Sequence, residues 1–194
     1  AWAAIPDIRP VTAMLATGML LMFANMSIEP IITVYVAQLV ENQAHITLMA
    51  GVVMSATALG SIVSSAWLGK LADRAGHWNV VIGALGTAAL LLVPQAFVTA
   101  GWQLVALRFL MGLALGGLLP SITSIIRHNV PDGVGGNVLG YAISAQYVGQ
   151  VAGPVLGGFV GGHIGMQAVF LGTAVLLGAG ALWNWLIRRD DLPD

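Results

Sequence analysis

Two polar side chains four residues apart interrupt the first long apolar run of this sequence, Asn25 and Glu29 in "MLLMFANMSIEPIITVYVAQL". That spacing puts them on one stripe of a helix, together with Met22, Met26 and Thr33. An ionisable group inside an apolar span costs about 3 kcal/mol on insertion scales, so it faces a cavity or a partner. A later apolar run carries a second one, Arg108. At 1.5 Å per residue, Arg108 lies ~9 Å and Glu29 ~16 Å from the same end of their runs, a difference that an arginine side chain spans. Two chemistries are open to Glu29. It can exchange a proton, or it can stay ionised as the partner of Arg108. The flexible thioethers of Met22 and Met26 suit ligands of varied shape. Gln146, Tyr147 and Gln150 in the fifth run, and Asn184 in the sixth, are secondary candidates, since a buried amide also serves as glue between helices.

The elements that must position these residues follow from composition. Of 194 residues, 58% are hydrophobic and 8% charged, with 25 glycines, and the mean hydropathy is +0.88. A soluble domain carries roughly a quarter charged residues, so this is an all-α membrane protein. Six apolar stretches reach the ~20 residues that a transmembrane helix needs. They run over 12–39, 46–69, 78–98, 102–127, 136–160 and 167–187, within a single domain spanning 1–194. Short connections make neighbouring helices antiparallel. The first and fourth spans each carry a buried charge and a proline, Glu29 with Pro30 and Arg108 with Pro120. The second and fifth carry small residues at every fourth position. This is the pattern of a three-plus-three inverted repeat within a six-helix bundle.

Several function classes fall away. The net charge of −1 argues against a nucleic-acid partner. With no cysteine, thiol catalysis and thiolate metal sites are excluded. No catalytic motif or P-loop is present, and His163 stands alone, so no catalytic residue, metal or cofactor is expected.

The densely polar stretch of the first half, "WLGKLADRAGHWN", fits the pattern G-x-L-A-D-R-x-G through Gly69, Leu71, Ala72, Asp73, Arg74 and Gly76. "RFLMGLALGG" presents Arg108 and Gly112 in the pattern R-x-x-x-G, with Gly116 following. "GQVAGPVLGG" presents Gly149, Gly153, Pro154, Gly157 and Gly158 in the pattern G-x-x-x-G-P-x-x-G-G. In these three stretches the chain resembles the major facilitator superfamily, and the last is similar to the motif of its drug/proton antiporters. The resemblance implies that Gly69, Asp73, Arg74 and Gly76 form a gating clasp in a short cytoplasmic loop. The departure at His77, Trp78 and Asn79 suggests a degenerate copy of that motif. Glycines at 149, 153, 157 and 161 repeat every four residues and make a flat face for close helix contact, while Pro154 removes a backbone donor and introduces a kink.

The resemblance covers the chain but accounts for one six-helix half of a twelve-helix protein, and the run around Glu29 looks like the C-terminal half. It implies an inner-membrane secondary transporter driven by protons and acting on small lipophilic compounds. The pathway residues would be Asn25, Glu29, Thr33, Arg108, Gln146 and Gln150. The expected partners are membrane lipid and a missing N-terminal half or a second copy. A complete six-helix homodimeric transporter or channel, a nutrient carrier, and a non-transporting scaffold are the competing readings.

Placing both termini in the cytoplasm puts Arg9, Lys70, Arg74, Arg127, Arg188 and Arg189 inside and no Lys or Arg outside, as the positive-inside rule requires. In the full-length protein, a membrane-impermeant thiol reagent should therefore label Asn42→Cys from outside and Gly76→Cys only from inside. The reverse pattern would overturn this topology.

Overall fold

In the computed structural model, which describes residues 2–190, helices occupy all six expected spans and the fourth span is broken in two. After a short 3-10 turn at Trp2–Ala4 come α1 (Ile8–Leu39), α2 (Gln43–Ala75), α3 (His77–Gln95), α4 (Gly101–Leu115), α5 (Leu118–Asn129), α6 (Gly135–His163) and α7 (Met166–Asp190). No strand occurs among the described residues. Ala1 and residues 191–194, which the expected domain also included, lie outside them.

Polar residues at the ends start these helices. The side chain of Asp7 accepts from the backbone N–H of Arg9 at 2.9 Å, and that of Asn42 accepts from Ala44 at 3.0 Å, each relieving an orphan donor of a first turn. Five spans are long and apolar enough to cross a membrane, α4 and α5 counting together as Gly101–Asn129. The sixth, α6, has the length at 29 residues, but its many glycines dilute its apolar character.

Two boundaries differ from expectation for clear reasons. The fourth span breaks at Gly116–Gly117, because Pro120 has no N–H for the carbonyl of Gly116 and its ring crowds that carbonyl. The second span does not stop at the polar stretch. α2 runs through Lys70, Asp73 and Arg74 to Ala75, and the connection to α3 is Gly76 alone, at φ 93°. The expected cytoplasmic loop is therefore the end of a helix that, at about 1.5 Å per residue, is 33 residues and so long enough to outreach a hydrocarbon layer ~30 Å thick. Gly69 sits inside this helix. Gly76 makes the turn, in a left-handed conformation that costs glycine little.

The packing obeys the inverted repeat. α1 packs most extensively on α6, α2 on α4, and α3 on α7. Exchanging the first three spans for the last three turns the first of these pairs into the second and leaves the third unchanged.

Both crossings are made by glycine. A Cβ on Gly153 would lie 2.8 Å from the carbonyl oxygen of Phe23, and one on Gly149 or Gly157 would collide with the backbone of Met19 or Ser27. On the other crossing, Gly112 lies against the backbone of Thr57, and Gly60 against Phe109 and Leu113. The partners advance together along the sequence, as they must when spans of equal parity run parallel. Gly158, counted with the packed face from its motif, has open space around it. It lies one position off the four-residue stripe, on another side of α6. Pro154 lies within a helix that continues unbroken through it.

Overpacking a filled interior costs about 1–3 kcal/mol, and more where backbone must part. Gly153→Val should therefore lower the detergent melting temperature and yield of the full-length protein, whereas Gly158→Val should leave both near wild type. Equal tolerance of the two would show that the α1–α6 crossing is not close.

Candidate functional site

The glycine crossings decide which way the polar side chains face. On α1, Phe23 and Ser27 meet the glycines of α6. Asn25 and Glu29 lie two residues from Ser27 on either side, hence on the opposite face of the helix. That face turns toward α2 and α4. There Asn25, Met26 and Glu29 share a pocket of about 220 Å³ with Met54, Thr57, Ala58 and Ser61 of α2 and Arg108 of α4. The crossing of α2 with α4 fixes the far wall, because Gly112, one turn beyond Arg108, rests on Thr57. Ser61 Oγ donates to the carbonyl of Gly112 at 3.1 Å.

Three of the six expected pathway residues are thus brought together: Asn25, Glu29 and Arg108. Met26 joins them, while Met22 packs toward the core. Thr33 is exposed and outside this pocket. Gln146 packs on Gly18 at the α1–α6 contact, and neither it nor Gln150 lines the Glu29 pocket. Tyr147 is exposed on a separate apolar groove along α6. Asn184 acts as glue: its Nδ2 donates to Thr17 Oγ1 at 2.9 Å and to the carbonyl of Gly180 at 2.8 Å, tying α7 to α1.

The charges in the pocket are not joined by a direct bond. Arg108 is only 5% exposed. Its Nη1 points at the thioether sulfur of Met111 at 3.8 Å, and its Nε has no partner. Glu29 is half-buried across the same pocket. Among the described residues the one ion pair within 4 Å joins His77 to Asp73, at 3.9 Å, so Glu29 and Arg108 face one space without bonding. Thr57 Oγ1 is likewise buried and unpartnered.

Thr57 and Ser61 were absent from the expected site, though their spacing of four on α2 repeats that of Asn25 and Glu29. Gln95 was also missed. It ends α3 fully buried, with the Tyr35 hydroxyl donating to its backbone carbonyl at 2.7 Å.

At the basic end of the bundle, the side chain of Asp73 is exposed, with its Oδ1 3.9 Å from His77 Nε2. The His77 ring lies 6.2 Å from that of His128 at the end of α5, and Arg188 donates to Asn79, joining α7 to the start of α3.

A family model for the Major Facilitator Superfamily matches residues 13–194. The chain belongs to this superfamily. It is 39% identical over 176 residues to the uncharacterized MFS-type transporter YuxJ of Bacillus subtilis (strain 168), covering 91% of this chain and 45% of that protein. It is 37% identical over 189 residues to the multidrug resistance protein MdtG of Salmonella arizonae and of Salmonella newport, covering 96% of this chain and 47% of theirs. The chain spans about half the length of the curated relatives it matches. Membership and the apolar spans together make it a multi-pass membrane protein.

Proposed function

We propose that this chain forms one half, the C-terminal one, of a secondary active transporter that exports lipophilic compounds in exchange for protons by alternating access. The observation that carries this reading is the pocket lined by α1, α2 and α4, with, on its walls, a half-buried acid and a buried guanidinium whose Nε has no partner. Such groups are costly within a membrane and mark pathways for ions or substrates. The family adds that this is a carrier rather than an enzyme, and the names of the MdtG relatives favour drugs over nutrients as cargo.

In this mechanism Glu29 holds the exchanged proton. When Glu29 is neutral, Arg108 has no opposing charge in the pocket, and when it is ionised the two attract. The charge state of one carboxyl therefore biases how closely α1 and α4 approach across the pocket, the kind of two-state element that alternating access requires. Met26 and Met54 give the wall an adaptable apolar surface. Asn25, Thr57 and Ser61 offer polar contacts. The other half, or a second copy, closes the remaining side of the cavity.

Asp73 and Arg74, on the last turns of α2 with Gly69 and Gly76, serve as a latch toward that other half. The exposure of the Asp73 side chain supports this, since nothing within the described residues beyond His77 engages it. The protein sits in the inner membrane with both termini in the cytoplasm, the orientation that the basic end of the bundle favours.

Ethidium efflux from membrane vesicles driven by an imposed pH gradient tests the proposal in the full-length protein. Glu29→Gln, which mimics the protonated acid, should reduce pH-driven efflux to the level of vesicles lacking the protein while ethidium still binds. Should Glu29→Gln instead destabilise the protein, with Arg108→Gln in the same chain restoring part of the loss, Glu29 is a structural partner of Arg108. Undiminished efflux by Glu29→Gln would reject its role as proton carrier.

A further inference from the structure

Gln95 lies outside the pocket, yet it is bound up with Arg108. Its Nε2 donates to the carbonyl of Leu91 at 3.0 Å and approaches the sulfur of Met111 at 3.5 Å. The Nη1 of Arg108 approaches that same sulfur at 3.8 Å. A thioether is a weak acceptor, and it stands here between two strong hydrogen-bonding groups. Both are left incomplete. Gln95 Oε1 is buried without a donor and Arg108 Nε is buried without an acceptor.

Orphaned groups of this kind cost about 1–3 kcal/mol each, and more when charged. The two are complementary, an amide acceptor and a guanidinium donor on either side of one flexible methionine. The guanidinium lines the Glu29 pocket without bonding to Glu29, and its Nη1 reaches the sulfur of Met111.

We infer that Gln95 is a positioning residue for Arg108, its Oε1 accepting the guanidinium in the conformation in which Arg108 is released by Glu29. Arg108 then has two berths. One faces the carboxylate across the pocket. The other lies in the core at the end of α3, where the Tyr35 hydroxyl secures the Gln95 backbone. Movement of Met111 closes the gap to the second berth, and an unbranched thioether changes rotamer at little cost. The structure holds the cation between the two berths, bonded to neither acceptor. The transport part of this inference rests on the proposed role of the Glu29 pocket. The contact itself does not.

The test is a double-mutant cycle in the full-length protein between Gln95→Met, which keeps the unbranched shape and loses the acceptor, and Arg108→Gln. In detergent, Gln95→Met should lower the melting temperature of the wild type by more than it lowers that of the Arg108→Gln background, where only the bond to Leu91 is lost. If Arg108→Gln fails to assemble, Arg108→Ala with a smaller side chain takes its place in the same cycle. In vesicles, Gln95→Met should lower kcat for ethidium efflux about tenfold, as loss of a hydrogen bond to a charged group would, with KM changed less than about twofold. Gln95→Glu, which retains an acceptor, should keep the stability coupling. Additive losses of melting temperature would overturn the inference whatever Glu29 does. Coupling that persists while Glu29→Gln transports normally would uphold the Gln95–Arg108 contact and overturn the transport reading alone.

Discussion

In a bilayer, apolar side chains gain nothing from leaving lipid for one another, so helices associate through close packing and hydrogen bonds. This bundle meets that constraint with two backbone-to-backbone crossings. Gly149, Gly153 and Gly157 bring α6 onto α1, and Gly60 and Gly112 bring α2 and α4 together. Everything else is positioned by these contacts. Because one face of α1 is committed to α6, the face with Asn25 and Glu29 is left to look at α2 and α4. Because α4 is pinned one turn beyond Arg108, the guanidinium meets that same space.

The polar chemistry is correspondingly sparse and deliberate. Most buried polar side chains bond locally to helix carbonyls, as Thr17, Ser27 and Thr173 do at 2.7, 2.6 and 2.7 Å. Buried polar atoms left without a partner are found on Thr57 and Arg108 at the pocket, on Gln95 beyond Met111, and on Asn184 at the α7–α1 contact. A cation buried with unmade hydrogen bonds is expensive. Its presence beside a carboxyl on the same pocket is what the proposed proton exchange draws on.

Much of this was legible in the sequence, because apolar length and the four-residue recurrence of small residues are direct physical requirements of spanning and crossing. The six spans, the glycine face of α6 and the meeting of Asn25, Glu29 and Arg108 follow from them. Other features depend on tertiary geometry that spacing does not encode. Thr33 shares a stripe with Glu29, but the pocket ends one turn short of it. Gly158 belongs to a motif while facing open space. The charged stretch at Lys70–Arg74 has the composition of a loop, yet nothing in it stops a helix before Gly76. Gln95 gives no periodic signal at all, since its importance lies in a neighbour contributed by another helix.

The coupling of proton and cargo at one carboxyl is the central claim, and proton release on binding reads it without any gradient or flux. The full-length protein in weakly buffered detergent, mixed with tetraphenylphosphonium, should release protons in the wild type. The Glu29→Gln variant should bind the same cation and release none. Equal proton release by the two proteins would contradict the assignment of the coupled proton to Glu29.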